Sequence, residues 1–177
     1  MSWLFTGVDI GINGGIVTID IDQKIIRKSI IPKIGDKVDN KALVAEFLLY
    51  ADKQNVIGLE DVYSIFGASA KANFTFGEIK GKKIGITETL AFMYGHRIIY
   101  VPPKVWQKRV WNNTDMVYKP KKPKDKRKKV DTKKTSLMAA KRLFPNEDFL
   151  RNSRCTVPHD GLVDAALIAQ YLYLEYR

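Results

Sequence analysis

The chain has 177 residues, with 30 Lys or Arg against 19 Asp or Glu, for a formal net charge of +11; 45% of its residues are hydrophobic. That is a globular composition carrying more positive charge than solubility needs, and the length suits a single domain spanning residues 1–177, since chains near 150 residues bury about two-thirds of their unfolded surface. Two full catalytic domains do not fit. No apolar run reaches the roughly 18 residues of a membrane span, and the opening MSWLFTGVDIG has no basic start, so a cytoplasmic or nucleoid-associated protein is expected. The single Cys155 excludes an intrachain disulfide and a cysteine-cluster metal site.

In chain order, the apolar runs Leu4 to Ile10, Gly15 to Ile21 and Ile25 to Ile31 are joined by the glycine-rich GINGG and by Asp22-Gln23, and predict an antiparallel meander. Asp39 can cap a helix running to about Lys53, with Leu43, Phe47, Leu48 and Ala51 on its apolar face. Val56 to Val62 predicts a strand, and about Ala70 to Tyr94 a largely helical region. Arg97 to Val101 is a further strand, and Pro102-Pro103 opens a short helix containing Val105, Trp106 and Val110. A helix from Asp131 or Thr132 to about Leu143 follows, and a last one runs from His159 or Asp160 to Glu175. The order predicts a mixed sheet covered on both sides.

Residues 119–134 read KPKKPKDKRKKVDTKK, ten basic residues and two aspartates, so a net +8 sits in one segment and +3 remains elsewhere. Like charges repel, and Pro120 and Pro123 break a helix, which predicts that the first part of this segment is mobile, within a basic loop at about residues 112–133. It is either a solvated linker or a surface for a polyanion, whose phosphates release counterions when basic side chains neutralise them. Acidic lipid would attract the same lysines, but no amphipathic anchor accompanies them, and no membrane partner is expected.

Four carboxylates lie in apolar contexts. Asp9 sits in LFTGVDIG, where it either bonds the amides of the glycine turn or serves a site. Glu60 and Asp61 end VIGLEDV; adjacent strand residues point to opposite faces, so at most one of them shares a site with Asp9. Asp160 and Asp164 in PHDGLVDAALIA stand on one helical face, a like-charge pair that costs roughly 0.2–0.5 kcal/mol unless a cation offsets it. Asp160 is open to an N-cap role, and His159 to donating to a carboxylate, ligating a metal or capping the turn. Such a set suits Mg²⁺, with Mn²⁺ able to substitute, and metal-assisted phosphodiester hydrolysis.

From GVDIGINGG through GLEDVY, FTFGEIKG, PPKVWQKRV and KKTSLMAAKRLFP to HDGLVDAALIAQYL, the chain resembles the RuvC-like Holliday junction resolvases, in particular the compact versions carried by bacteriophages, within the ribonuclease H-like superfamily. The resemblance implies an α/β fold with a five-stranded mixed sheet flanked by helices. It also implies a homodimer that binds four-way or otherwise branched DNA in the host cytoplasm, and metal-dependent cleavage by Asp9, Glu60 and Asp164. Gly161 stands where bacterial members place a fourth ligand, and Asp160, one residue earlier, takes that role, with His159 as its competitor. Tyr63 matches an aromatic near the junction crossover, and is otherwise a core tyrosine. Lys108 and Arg109 follow Trp106 in a region that contacts DNA, with Lys108 a candidate for the scissile phosphate; Trp106 is expected to pack in the core. The basic side chains Lys119, Lys121, Lys122, Lys124, Lys126, Arg127, Lys128, Lys129, Lys133 and Lys134 complete the expected DNA surface. The alternative reading is a noncatalytic module that binds branched nucleic acid on the same fold.

Overall fold

The computed structural model describes residues 3–11, 13–62, 67, 69–121 and 127–177. Three strands, β1 (Trp3–Val8), β2 (Gly15–Ile19) and β3 (Ile25–Ile30), form the expected antiparallel meander. A small hairpin, β4 (Lys33–Ile34) with β5 (Lys37–Val38), precedes helix α1 (Asn40–Leu48), capped by the Asp39 side chain accepting from the Ala42 amide. Helix α1 stops five residues short of the expected Lys53, because the chain turns through residues 49–52 to start β6 (Gln54–Glu60). Helix α2 (Ala70–Tyr94) ends at Gly95, whose φ of 68° is the left-handed conformation that glycine adopts at low cost. Then come β7 (Arg97–Val101), α3 (Pro103–Val110), α4 (Thr132–Leu143) and α5 (Asp160–Tyr176).

The sheet order is β3-β2-β1-β6-β7, with β1, β6 and β7 parallel. This is a five-stranded mixed sheet flanked by helices, an α/β arrangement of the ribonuclease H-like kind. One face buries Val8, Ile10, Ile57 and Leu59 against Leu43 and Phe47 of α1 and Leu90 and Ala91 of α2. The other buries Phe5, Val17 and Val56 against α5, with Trp106 of α3 and Ala139 and Ala140 of α4 behind.

Helix α5 is apolar almost all round and lies across the centre of the sheet, and glycines set its closeness. A Cβ on Gly7 would fall 2.0 Å from the Ala165 carbonyl oxygen, and one on Gly58 2.9 Å from Ile168 and Leu172 side-chain carbons. Gly14 and Gly161 bridge directly.

Residues 122–126, most of the first part of the basic segment and of the expected mobile stretch, lie outside the described residues, and the residues flanking them pair with one another. Tyr118 bridges Val130, the Lys119 amide donates to Lys129 O at 2.9 Å, and the Asp131 amide to Val117 O at 2.8 Å. Backbone pairing does not depend on side-chain charge, so lysines that repel one another still flank a hydrogen-bonded stem. The stem is rooted where the Val117 amide donates to Thr135 Oγ1 at 3.1 Å, and where Arg142 bonds buried Asp115 at 2.8 Å and Val110 O at 2.9 Å. No helix among the described residues is long and apolar enough to cross a membrane.

Candidate active site

The carboxyl ends of parallel strands are where open α/β sheets leave a crevice. Val8 pairs with Leu59 in the β1–β6 register, so Asp9 and Glu60, the next residues, stand side by side at that edge. The register decides between Glu60 and Asp61: Asp61 points instead to Lys80 of α2, at 3.5 Å. Asp164 comes over them from the first turns of α5, held there by the close approach of that helix at Gly7 and Gly15.

Each carboxylate is fixed by a neighbour. The Gly11 amide donates to Asp9 Oδ1 at 2.8 Å. Trp106, fully buried as expected, also donates its indole N–H to Glu60 Oε1 at 3.3 Å. Buried Ser136 of α4 hydrogen-bonds Asp164. Asp160, more exposed, takes an ion pair from Lys133 at 2.5 Å.

The electrostatics are those of crowded, desolvated acids. Burial, then repulsion from Asp9 and Asp164, pushes Glu60 up to about 8. Burial pushes Asp164 up to about 7, with Asp9 and Asp160 adding to it. Burial raises Asp9 as well, against the pull of the Gly11 amide, Lys83 and His159. Among the described residues no three His, Cys, Asp or Glu side chains stand in joint reach of one ion. The donor set nevertheless fits a hard divalent cation chemically: all oxygen, mutually repelling, and short of compensating positive charge.

Lys83 is the cation that sequence reasoning missed. It is 1% exposed on α2, and its Nζ donates to the carbonyl oxygens of Ile10 at 2.7 Å and Gly11 at 2.5 Å, tying down the turn that carries Asp9. Burial, opposed by the field of Asp9, lowers it to about 8. The signal was its register: Lys83, Thr87, Leu90 and Ala91 share one helical face, and all are buried.

His159 is the N-cap residue of α5 without a side-chain capping bond, and Asp160 is the first helical residue, so the N-cap role considered for Asp160 belongs to its neighbour. Burial and the charge of Arg151 lower His159, while Asp160 and Asp9 act to raise it. Lys133 and Lys134 lie on α4, the helix expected from Asp131 or Thr132, and Lys133 is engaged by Asp160. Arg109 bonds Glu175 at 2.5 Å, eleven residues and roughly 16 Å along α5 from Asp164, and Lys108 lines the same outer cleft. Neither is among the charges acting on Asp9, Glu60 or Asp164. Lys119, Lys121, Arg127, Lys128 and Lys129 are exposed on or beside the stem, with Lys128 5.8 Å from the centre of the Tyr118 ring. Tyr63, Lys122, Lys124 and Lys126 lie outside the described residues.

No protein-family model and no curated protein matches the sequence. Among solved structures, the chain is similar to T. thermophilus RuvC in complex with a Holliday junction substrate, with a TM-score of 0.62 and 11% identity over 98% of this chain and 96% of that one. A second Thermus thermophilus RuvC structure gives a TM-score of 0.61 at 11% identity, over 97% and 96% of the two chains. What this likeness shows is a fold shared with RuvC, reached by a sequence that has little else in common with it.

Proposed function

We propose that this chain is a structure-selective endonuclease of the RuvC-like, bacteriophage type, one nuclease domain that resolves Holliday junctions and other branched DNA by phosphodiester hydrolysis. The observation that carries this reading is the trio Asp9, Glu60 and Asp164, set by strand register and by α5 at one sheet edge, where burial and mutual repulsion hold the acids above their ordinary range. Asp160 joins them as the fourth oxygen donor, with His159 beside it. These residues would hold Mg²⁺, or Mn²⁺ in its place; a divalent cation there supplies Lewis-acid charge for the hydrolysis.

The chain's own groups prepare that site. Trp106 and Ser136 orient Glu60 and Asp164, and Lys83 fixes the turn behind Asp9. The lysine-rich stem carries charge for the DNA backbone, which positions a duplex without reading bases. Tyr63 has the chemistry to stack on an unpaired base at the crossover, and Lys108 and Arg109 to meet an outer phosphate. A two-fold homodimer in the host cytoplasm supplies paired nicks without a second nuclease domain.

The test is incubation of purified protein with labelled four-way, flap and linear DNA, with Mg²⁺, Mn²⁺ or chelator, alongside its mass in solution. Cation-dependent cleavage of the branched substrates and a dimer mass are expected. Tight junction binding without hydrolysis under any cation would identify the noncatalytic module instead.

A further inference from the structure

Next to His159, the residue before Asp160, lies a cavity of about 120 Å³. The turn at Asn13 and Gly14 forms one wall, the end of β3 and Lys33 a second, and Arg151 with His159 the third. At roughly 30 Å³ per liquid water, that space holds a small polyatomic group. Among the described residues no acid lines it and no carboxylate pairs with Lys33 or Arg151, whereas Arg27, Lys28 and Arg142 each have an acidic partner. Lys33 Nζ gives one hydrogen bond to Asn13 Oδ1 at 2.8 Å, and an ammonium has two more to give. His159 Nδ1 is buried with no partner among the described residues. The charges of Arg151 and Lys33 act on His159, as do those of Asp160 and Asp9, so this residue lies within reach of both the basic cleft and the acids.

We propose that this cleft is a subsite for a DNA backbone phosphate, held by Lys33 and Arg151, next to the phosphodiester that lies over the carboxylates. The inference rests on the endonuclease reading and adds to it the element that sets strand register. Acids that hold cations cannot by themselves grip a polyanion, whereas a cationic notch one residue from Asp160 can anchor the neighbouring phosphate of the same strand. Arg151 supplies a planar fork suited to two phosphate oxygens, and Lys33 a point charge. Asn13 holds the lysine in place across the mouth of the cleft.

The test is a cycle between protein charge and single phosphates. Junctions carrying one neutral methylphosphonate at successive positions around the branch point are titrated, in chelator, against wild type and the Lys33→Gln/Arg151→Gln variant. The double variant is expected to bind roughly tenfold or more weakly, as the removal of charge-assisted hydrogen bonds implies, and its slope of log affinity against log salt to shrink by up to about 0.9, the share of one phosphate. At one position the methylphosphonate weakens wild type but not the variant. Wild-type affinity in the variant, or penalties that add at every position, overturns the proposal. So does tight binding of inorganic phosphate with no coupling to any DNA phosphate, which would mark a site for the free anion. If the double variant does not fold, Lys33→Arg and Arg151→Lys answer the same question, since retained charge must retain the coupling. No cleavage is needed: a chain that couples but never cuts keeps the subsite and loses the enzyme, and one that cuts without coupling does the reverse.

Discussion

Gly7 of β1 lies so close to Ala165 of α5 that a Cβ would sit 2.0 Å from the Ala165 carbonyl oxygen, and Ala165 directly follows Asp164. The absence of one methyl group in the sheet therefore sets the height at which an acid of the helix meets the acids of the strands. Gly7→Ala must push the helix away. Overpacking against a backbone atom costs at least the usual range of about 1–3 kcal/mol, so a melting temperature lowered by several degrees or more is expected. Gly77→Ala is the contrasting case, with open space around its Cβ in the body of α2; there a gain of up to about 1 kcal/mol is expected. Thermal denaturation of both variants checks the pair.

The raised acids make stability depend on pH in a definite direction. Glu60 goes from 4.5 unfolded to about 8 folded, and Asp164 from 3.8 to about 7. Across those windows the native state holds protons that the unfolded chain has released, so each acid lowers stability as pH rises through them. Lys83 acts in a later window: lowered from 10.5 to about 8, it holds fewer protons than the unfolded chain between those values, and stability rises with pH there. In metal-free buffer, Glu60→Gln and Asp164→Asn should be more stable relative to wild type at about pH 8 than at about pH 5. Mg²⁺ should raise the wild-type melting temperature more at the higher pH, since a bound cation favours the ionised acids. Equal shifts at both pH values would contradict the coupling.

Lys83→Met removes the ammonium that ties the carbonyls of Ile10 and Gly11 behind Asp9. Two acceptors are left without their donor, at a cost of about 1–3 kcal/mol in denaturant unfolding. Asp9 also loses an attractive charge and titrates higher still, so cleavage near neutral pH should fall and recover in part as pH is raised. Loss of stability with an unchanged pH profile would reduce Lys83 to a packing role.

Serine at Arg127, Lys128 and Lys129 together should weaken binding to branched and linear duplex alike. The slope of log affinity against log salt should decrease by up to about 0.9 for each phosphate that the variant leaves unneutralised. Selective loss on four-way DNA would instead mean that the stem forms a wall at the junction centre.

Much of this architecture was legible in the residues. Short apolar runs with tight turns announced the meander, Pro102-Pro103 the start of α3, and an apolar run behind His159 the closing helix. Alternation alone did not choose Glu60 over Asp61, since it says only that the two diverge; the resemblance named Glu60, and the pairing of Val8 with Leu59 puts that residue beside Asp9. Lys83 was hidden because a lysine within GEIKGKKIG reads as solvent-facing until its register with Leu90 and Ala91 is counted. The stem at Tyr118 and Val130 was masked by side-chain charge that its backbone hydrogen bonds do not feel. The pairing of Lys133 with Asp160 joins α4 to α5 across 27 residues of sequence, a separation at which no local pattern speaks.

The central claim is that Asp9, Glu60 and Asp164 form one hydrolytic centre, and single-turnover cleavage of a labelled four-way junction in Mg²⁺ tests it most directly. Asp9→Asn, Glu60→Gln and Asp164→Asn are each expected to abolish cleavage while binding the junction, in chelator, as tightly as wild type. Cleavage by Asp9→Asn at a rate near that of wild type would contradict the account.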